Sequence, residues 1–266
     1  MNKGILYAAT EEDLVREAQT SAKTVKDEMG DLPIAIVTES ETNPDGFDVV
    51  INLESPTHGF QDKILAMEKS PFEKTLYLDT DTYMNDDVQD VFEALDHFDI
   101  AAVHNQNRDI YTEKNLGVPQ CFPEYNSGVV AFNKSETKTF FKKWLKEYSE
   151  DHQGDQPSFR KVLYERDLQI ATLPNEFNYL PRYPGHIVKD VKIFHGRLLD
   201  INTFGAQQYF DLEEVADKVN LGSGHRLYIQ GGYQVGPQMS FIQRIERSIK
   251  KRGIIGTFSN ALGLRD

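Results

Sequence analysis

Apolar segments typical of buried strands alternate with helical segments along the first hundred residues, and this alternation constrains the fold more than any other feature. Strands are predicted at residues 4–10, 32–38, 48–53 and 75–78 from their apolar runs and flanking turn residues. A helix after the first strand repeats its apolar side chains with a period near 3.6, and another precedes the fourth strand. Because strands joined by helical crossovers run parallel, the pattern predicts an α/β fold with a Rossmann-like, mostly parallel sheet flanked by helices.

The second half of the chain alternates less regularly. Asp86 and Gln89 have the spacing of a capping box, which predicts a helix that continues to Leu95. Residues 105–125 form a polar loop longer than a compact fold needs, and such loops commonly contact substrate. Further strands are predicted at 99–105, 127–132 and 191–194, the last being the final strand, with an amphipathic helix at 135–150.

Composition excludes several classes of protein. The net charge of −13 argues against a nucleic-acid-binding surface, since phosphate backbones are held by stripes of Lys and Arg. The N-terminal apolar run is too short for a secretory signal, and no segment reaches about 18 uninterrupted apolar residues, so a soluble, cytoplasmic protein is expected. The single cysteine, Cys121, excludes an internal disulfide framework and a cysteine-based zinc site.

The C-terminal segment differs in charge from the rest of the chain. Residues 241–266 carry six basic and two acidic residues, and Ile242, Ile245 and Ile249 recur at helical spacing. This pattern predicts a basic amphipathic helix, either docked on the acidic body or in peripheral contact with an anionic membrane. Because no repeat or change of composition occurs earlier, we expect one domain at 1–235 and a helical extension at 236–266.

Two aspartates, Asp79 and Asp81, directly follow the apolar strand at 75–78. In an open parallel sheet, ligands bind beyond the carboxyl ends of the strands, which is where this pair lies. Residues two apart on extended backbone point the same way, so both carboxylates can reach one hard cation such as Mg²⁺ or Mn²⁺. Helix capping is the alternative, but Asn85 and Asp86 lie closer to the next predicted helix.

Two enzyme families place Asp-x-Asp after an apolar strand. The segment "LYLDTDT" has the D-x-D-x-T pattern of haloacid-dehalogenase-like phosphatases, with Asp79 as nucleophile and Asp81 as general acid. In that family the motif follows the first strand of the core, whereas three strands are predicted before it here. The later metal motif of two acids about four residues apart is also missing, because Phe159 stands four residues after Asp155.

Several motifs of the chain, in order from Gly4 to about Gly196, resemble those of family 8 GT-A glycosyltransferases, including the glycogenins. "PEYNSGVVAFN" is similar to their Asn-Ser-Gly strand, "GDQPSFRKVL" to their Gly-Asp-Gln helix, and "LPNEFNYL" and "VKIFHG" to a loop and strand near their metal-binding histidine. Lys63 lies ahead of Asp79 at the spacing of their sugar- or phosphate-contacting lysine. The resemblance implies a GT-A fold and a metal-dependent transferase that moves a hexose from a UDP-sugar to a glycan, lipid-linked or protein acceptor, with retention.

The resemblance also implies roles for particular residues. Mn²⁺ or Mg²⁺ is expected on Asp79, Asp81 and His195, with Asp155, Gln156 and Asn126 at the reacting centre. Gly196 and Arg197 follow the histidine directly, where the family has a later glycine and lysine, so Arg197 is expected to replace that lysine at the phosphates. Donor contacts are expected from Ala8, Ala9, Thr10, Lys63, Asp79, Thr80, Asp81, Ser127, Gly128, Gly196 and Arg197.

Structural alternatives remain open for many of these residues. His195 can be a histidine at the edge of the core, Lys63 an exposed helical lysine and Ser127 part of a turn. Thr10 can cap the first helix with Asp13, and Gln156 can cap a helix whose first residue is Pro157. Leu14 stands where the family can have an aromatic residue flanking the base. A GT-A-like module that binds nucleotide sugars without turnover is the remaining alternative for function.

Overall fold

The structure is a computed structural model of the chain, and it describes residues 2–39, 44–106, 116–148, 154–197, 216–217, 219–220, 224–229 and 232–235. The chain divides into two compact units, Met1–Tyr233 and Gln234–Asp266. The predicted C-terminal helix and the middle of the predicted loop at 105–125 lie outside the described residues. No helix in the described part of the chain combines the length and apolar character needed to span a membrane.

A seven-stranded sheet forms the centre of the first unit, in the order β3-β2-β1-β4-β7-β6-β8. Only β7 runs against its neighbours, so the prediction of a mostly parallel α/β sheet is confirmed. Because β7 is antiparallel, it begins at the same edge where β1 and β4 end. The strands are β1 (Lys3–Ala8), β2 (Ile34–Thr38), β3 (Val49–Asn52), β4 (Lys74–Leu78), β6 (Ile100–His104), β7 (Tyr125–Asn133) and β8 (Ile170–Thr172).

Helices cover both faces of this sheet. Successive strand residues point to opposite faces, so Ile5 packs with the core under α1 and α3, whereas Leu6 packs with the core under α2, α4 and α5. Trp144 is the largest fully buried side chain and lies in the second core. The helices are α1 (Glu12–Met29), α2 (Phe60–Glu68), α3 (Asp90–Ala94), α4 (Lys134–Glu147) and α5 (Gln156–Glu165), with a 3₁₀ turn at Asn175–Phe177.

In the described part of the chain, two small sheets lie outside the main sheet, and the strand predicted at 191–194 overlaps one of their strands. The three-residue strand β5 (Thr82–Met84) pairs with β10 (Ile193–His195), and β9 (Gly185–Ile187) pairs with β11 (Arg226–Ile229), which is followed by β12 (Gly232–Val235). The prediction that the strand at 191–194 is the last was therefore wrong. Short strands carry too few residues for an alternating pattern, so they are recognised only by their partners.

The predicted capping box at Asp86 is also absent. The helix there is only α3, five residues long, and Gln89 is its N-cap without a side-chain hydrogen bond. Asp86 instead forms an ion pair with Lys192, 2.9 Å between Oδ2 and Nζ, and Asn85 donates its amide to the carbonyl of Val191. These side chains hold the segment after β5 against the segment before β10.

Candidate active site

A pocket of about 470 Å³ opens at the edge of the sheet where β1 and β4 end and β7 begins. The first turns of α2 and α5 form its walls, and the end of β10 lies beside it. The residues predicted to bind ligand or act in catalysis lie at this pocket, with the exception of Ala9. Gly196 does not line the pocket itself but lies between two residues that do. The lining residues among them are Ala8, Thr10, Lys63, Asp79, Thr80, Asp81, Asn126, Ser127, Gly128, Asp155, Gln156, His195 and Arg197.

Asp79 and Asp81 lie in a turn between β4 and β5. The amide and hydroxyl of Thr82 both donate to the carbonyl of Asp79, at 3.2 and 2.8 Å, which closes the turn. The backbone is therefore not extended here, and the expectation that strand geometry points both carboxylates the same way was wrong. The turn nevertheless brings the two carboxylates together, because both side chains line one pocket.

His195 joins the two aspartates because β10 pairs with β5. In that ribbon His195 lies opposite Thr82, directly after Asp81. Its Nε2 is 3.3 Å from Asp81 Oδ1 and 3.7 Å from Asp79 Oδ2, and its Nδ1 is 2.9 Å from Asn178 Oδ1. The Asn178 contact orients the ring with Nε2 toward the carboxylates, an arrangement common behind metal-binding histidines.

The three side chains fit a divalent cation. Their ligand atoms all lie within 4.8 Å of one another, and they offer two carboxylates and one imidazole. Mn²⁺ accepts both oxygen and imidazole nitrogen ligands. Gly128 leaves the space they need, because a Cβ atom there would lie 2.2 Å from His195 Cε1 and 2.6 Å from Asp79 Oδ2. The absence of a side chain at Gly128 therefore belongs to the construction of this site.

Electrostatics already favour the ionised form of one carboxylate. Burial opposes the charge of Asp81, but the charge of His195, its hydrogen bond and the charge of Arg197 outweigh burial and lower the pKa of Asp81 to about 2. Burial lowers the pKa of His195, and the charges of Asp81 and Asp79 outweigh that effect and raise it overall. Each group thus stabilises the charged form of the other.

Lys63 is buried, only 6% exposed, so the alternative of an exposed helical lysine was wrong. Its Nζ lies 2.9 Å from Asp79 Oδ1, 3.3 Å from Asp155 Oδ2 and 3.1 Å from Ser127 Oγ. Burial lowers the pKa of Lys63, but the charges of Asp155 and Asp79 outweigh it and raise the pKa overall. Tyr77 also donates its hydroxyl to Asp79 Oδ1 at 2.9 Å. The ammonium group therefore connects the metal-site carboxylate to the start of α5.

Asp155 and Gln156 begin α5, and each carries a buried side-chain oxygen. The N-cap is Asp155, and Gln156 is already helical, so the alternative that Gln156 caps the helix was wrong. Among the described residues, Gln156 Oε1 has no hydrogen-bond partner, and Asp155 Oδ2 has only the ion-pair contact with Lys63 Nζ at 3.3 Å. Buried polar atoms are normally satisfied, so the unpaired oxygen of Gln156 and the weakly paired oxygen of Asp155 indicate that a ligand supplies donors at this pocket wall.

Asn126 and Ser127 occupy the start of β7. The side-chain oxygen of Asn126 accepts the amide of Gly128 and the side-chain amide of Asn178, each at 2.9 Å. A hydrogen-bonded chain thus runs from Asn126 through Asn178 to His195. Asn126 is therefore connected to the orientation of the histidine, and its catalytic role stays a prediction.

Arg197 and Thr80 are both held by Glu17 on α1. Arg197 Nε donates to Glu17 Oε1 at 2.9 Å, and the hydroxyl of Thr80 donates to Glu17 Oε2. Gly196 between the histidine and the arginine has a φ of +114°, a conformation that side chains disfavour, and its amide donates to the carbonyl of Asp81. This geometry directs Arg197 to the pocket wall beside Asp81.

The end of β1 contributes differently from the prediction. Ala8 lines the pocket, whereas Ala9 is buried in the core under α1. Thr10 does not cap α1, whose N-cap is Glu11; its hydroxyl donates to Asp62 Oδ2 at 2.9 Å. The short-range cap is replaced by a contact between segments far apart in sequence.

Sequence reasoning missed several residues of this site. Asn178 was visible only as one residue of the recognised loop "LPNEFNYL", and Glu17 and Asp62 look like ordinary helical acids. Phe60 and Arg182 also line the pocket, and neither has a local pattern that marks it. Their positions depend on which helix starts and loops the fold brings to the sheet edge.

Residues 72–220, more than half of the chain, match the nucleotide-diphospho-sugar transferase family. No curated protein matches the sequence. The matched region contains the Asp79–Asp81 turn, the start of β7, the start of α5 and His195. The site residues at the C-terminal end of β1 and at the start of α2 precede the matched region.

Solved structures show the same fold at low sequence identity. The glycosyltransferase GlyE of Streptococcus pneumoniae TIGR4 has a TM-score of 0.57 and 18% identity, covering 84% of this chain and 62% of GlyE. The galactosyltransferase LgtC, solved with donor and acceptor sugar analogues, has a TM-score of 0.54 and 16% identity, covering 80% and 91%. Mouse xyloside xylosyltransferase 1 has a TM-score of 0.51 and 15% identity, covering 74% and 98%. This chain spans less than two thirds of the length of GlyE.

Proposed function

The chain belongs to the nucleotide-diphospho-sugar transferase family, and we propose that it transfers a hexosyl group from a UDP-sugar to a glycan, lipid-linked or protein acceptor. One observation carries this proposal. Asp79, Asp81 and His195 converge in the same pocket as Lys63 and the Asp155 carboxylate with which Lys63 pairs. The order of motifs supports an enzyme of the family 8, glycogenin-like type, which retains the configuration of the transferred sugar.

Asp79, Asp81 and His195 would hold Mn²⁺ or Mg²⁺. When bound, the ion supplies Lewis-acid stabilisation of the charge on the leaving diphosphate. The chain prepares this site by turning His195 through Asn178 and by leaving the space beside Gly128 open. His195 would bind the ion as the neutral imidazole, so the proton that His195 shares with the carboxylates would leave when the ion binds.

Positive side chains bind the phosphate oxygens in this proposal. Lys63 presents an ammonium group whose neighbours are carboxylates on both sides of the pocket. Arg197 presents a guanidinium, which can hold phosphate through two hydrogen bonds. Glu17 restricts Arg197 and Thr80 to one position, so less conformational freedom is lost when the donor binds.

The start of α5 binds the sugar at the reacting centre. Asp155 Oδ2 and Gln156 Oε1 accept hydrogen bonds from sugar hydroxyls. These donors would satisfy Gln156 Oε1 and add to the single contact that Lys63 makes with Asp155 Oδ2 in the described part of the chain. The Asp155 carboxylate also stabilises positive charge that develops on the sugar ring as the diphosphate leaves. Both a covalent intermediate on Asp155 and a short-lived ion pair are compatible with retention.

The test is a panel of nucleotide sugars with Mn²⁺, measured by thermal shift and by release of free sugar. We expect one donor to raise the melting temperature of the wild type and to be hydrolysed slowly. Asp81→Asn removes a ligand of the ion and should lose both effects. Asp86→Asn is the matched control, since Asp86 is an exposed aspartate outside the pocket.

Two results would contradict the proposal. Stabilisation of the wild type by no donor would remove the nucleotide-sugar site, and equal behaviour of Asp81→Asn and wild type would remove the metal role. Release of phosphate from small phosphate esters would favour the phosphatase alternative, and donor binding without release of sugar from any donor would favour a binding module without turnover.

The proposed enzyme is cytoplasmic, and its basic segment at 241–266 contacts an anionic membrane surface if the acceptor is lipid-linked. The support is the sequence pattern of basic residues and isoleucines at helical spacing. Flotation with anionic liposomes, with and without residues 241–266, tests this contact. Equal recovery of both proteins in the soluble fraction would remove it.

A further inference from the structure

An aromatic ring at one end of the pocket is exposed although it belongs to a helix whose other apolar residues are buried. Phe60, the first residue of α2, is 49% exposed and lines the pocket, whereas Ile64, Ala66 and Met67 of the same helix are buried and Leu65 is partly buried. Scattered exposed hydrophobic residues are common on protein surfaces. An aromatic ring on the wall of a concave polar pocket is different, because ligands entering the pocket meet it.

The backbone next to Phe60 is held firmly. Asp62 accepts four hydrogen bonds: the amide and hydroxyl of Thr57 on Oδ1, and the amide of His58 and hydroxyl of Thr10 on Oδ2, all at 2.8–2.9 Å. His58 has a φ of +57°, a left-handed conformation unusual for residues other than glycine. The network keeps this loop in place and ties the start of α2 to the end of β1, so Phe60 is attached to a rigid part of the pocket.

Phe60 lies near the charged groups of the pocket along the same helix. Phe60 and Lys63 are three residues apart on α2, so they lie on the same side of the helix about one turn apart. Lys63 binds Asp79 at the metal site. Ala8 and Leu14 add apolar surface to the same pocket. The pocket therefore combines a flat aromatic surface and apolar side chains with the groups that would bind a diphosphate.

From this arrangement, and resting on the function proposed above, we propose that Phe60 is the stacking platform for the nucleobase of the donor. The ring offers a flat π-face, on which any base can stack, so this contact contributes affinity and leaves the choice of base to groups at the base edge. The donor then binds through two separate contacts, the base at Phe60 and the diphosphate at the metal site.

The experiment measures binding by calorimetry with Mn²⁺, using UDP and inorganic pyrophosphate as paired probes. Phe60→Ala should weaken UDP binding roughly tenfold, because the stacking contact is lost, and leave pyrophosphate binding unchanged. Phe60→Tyr keeps the ring and should bind UDP like the wild type. Phe98→Ala is the matched control, since Phe98 is another exposed phenylalanine, 38% exposed, outside the pocket.

The outcomes separate this inference from the proposed function. Wild-type protein that binds none of UDP, ADP and GDP overturns both. Wild-type binding of UDP with unchanged affinity in Phe60→Ala overturns the stacking role alone. An equal loss of UDP and pyrophosphate affinity in Phe60→Ala also overturns it, because that result indicates a damaged pocket instead of a lost base contact.

Discussion

The first turns of α2 and α5 each place a buried aspartate beside the same pocket, but the two carboxylates differ in the protein groups that contact them. Asp62 and Asp155 are both 3% exposed. Asp62 accepts four hydrogen bonds from protein groups. Asp155 Oδ2 instead forms an ion pair with Lys63 Nζ at 3.3 Å and has no other hydrogen-bond partner among the described residues.

The difference teaches how to separate structural from ligand-binding acids in this pocket. A carboxylate whose acceptor sites are filled by its own chain can only hold the loop that supplies the donors. A carboxylate whose charge is balanced by a single ammonium group still has oxygen lone pairs that can accept hydrogen bonds from a ligand. The ammonium charge also offsets part of the free-energy cost of burying the carboxylate. Burial does not distinguish the two cases, and neither does position at a helix start.

Removing the shared cation should have the largest effect. Lys63→Met keeps much of the side-chain volume but leaves Asp79 and Asp155 without their counter-charge, so we expect the free energy of unfolding to fall by about 3 kcal/mol. Guanidinium unfolding measures this change. Lys69→Met, at an exposed lysine just after the same helix, should change stability little.

A second substitution tests the cause of that loss. Adding Asp155→Asn to Lys63→Met removes one of the two unpaired charges and should restore part of the stability, which a double-mutant cycle measures as coupling between the residues. Additive effects would mean that Lys63 stabilises the fold by packing and not by charge, and the contrast between Asp62 and Asp155 would lose its basis.

Asparagine at each aspartate compares the two regions directly. Asp62→Asn replaces one acceptor by an NH₂ group that faces protein donors, so we expect a loss of about 1–3 kcal/mol in the free energy of unfolding. Asp155→Asn keeps an oxygen that can accept from Lys63, whose charge Asp79 still balances. It should therefore cost less stability than Asp62→Asn while abolishing release of sugar from the donor. Equal destabilisation, or full turnover by Asp155→Asn, would contradict the distinction.

A third carboxylate extends the series and should show the smallest effect. Burial, only partly opposed by the hydrogen bond from Asn105 and the charge of Arg160, raises the pKa of Glu124 to about 7 from its ordinary 4.5. Between these values the folded protein keeps a proton that the unfolded chain releases. The folded state therefore loses stability as pH rises through this window.

Glu124→Gln removes this titration and keeps an oxygen for Asn105. Relative to the variant, the wild type should lose stability as pH rises from about 4.5 to about 7, and melting temperatures of both proteins across that range measure it. A difference that is constant with pH would show that the proton on Glu124 is not linked to folding.

Much of the fold was predictable because its signals are local. Long apolar runs marked β1, β2, β4, β6 and β7, and the helical period marked α1 and α4. The capping predictions at Thr10 and Asp86 failed for one reason. Each polar side chain found a stronger partner elsewhere, Asp62 for Thr10 and Lys192 for Asp86, and a local pattern contains no information about distant competitors.

The residue types of the candidate site were predictable from the sequence, but the contacts between those residues were not. Asp79, Asp81, His195 and Lys63 stand out from motif order, and the structure gathers them in one pocket. The sequence did not indicate the pairing of β5 with β10, the hydrogen bond between Asn178 and His195 or the hydrogen bond between Arg197 and Glu17. Each of these depends on contacts between segments separated in sequence, and even the predicted strand at 191–194 did not indicate that β5 is its partner.

By itself the amino-acid sequence determined the layered α/β sheet, the Asp-x-Asp turn at its edge and the residue types available there, because strand and helix periodicity act over neighbouring residues. The tertiary structure alone decided which of those residues share a charge, a proton or a ligand. Glu17 and Arg197 meet across 180 positions of sequence. Electrostatic and hydrogen-bonding energies depend on distances in space, and only the folded chain sets those distances.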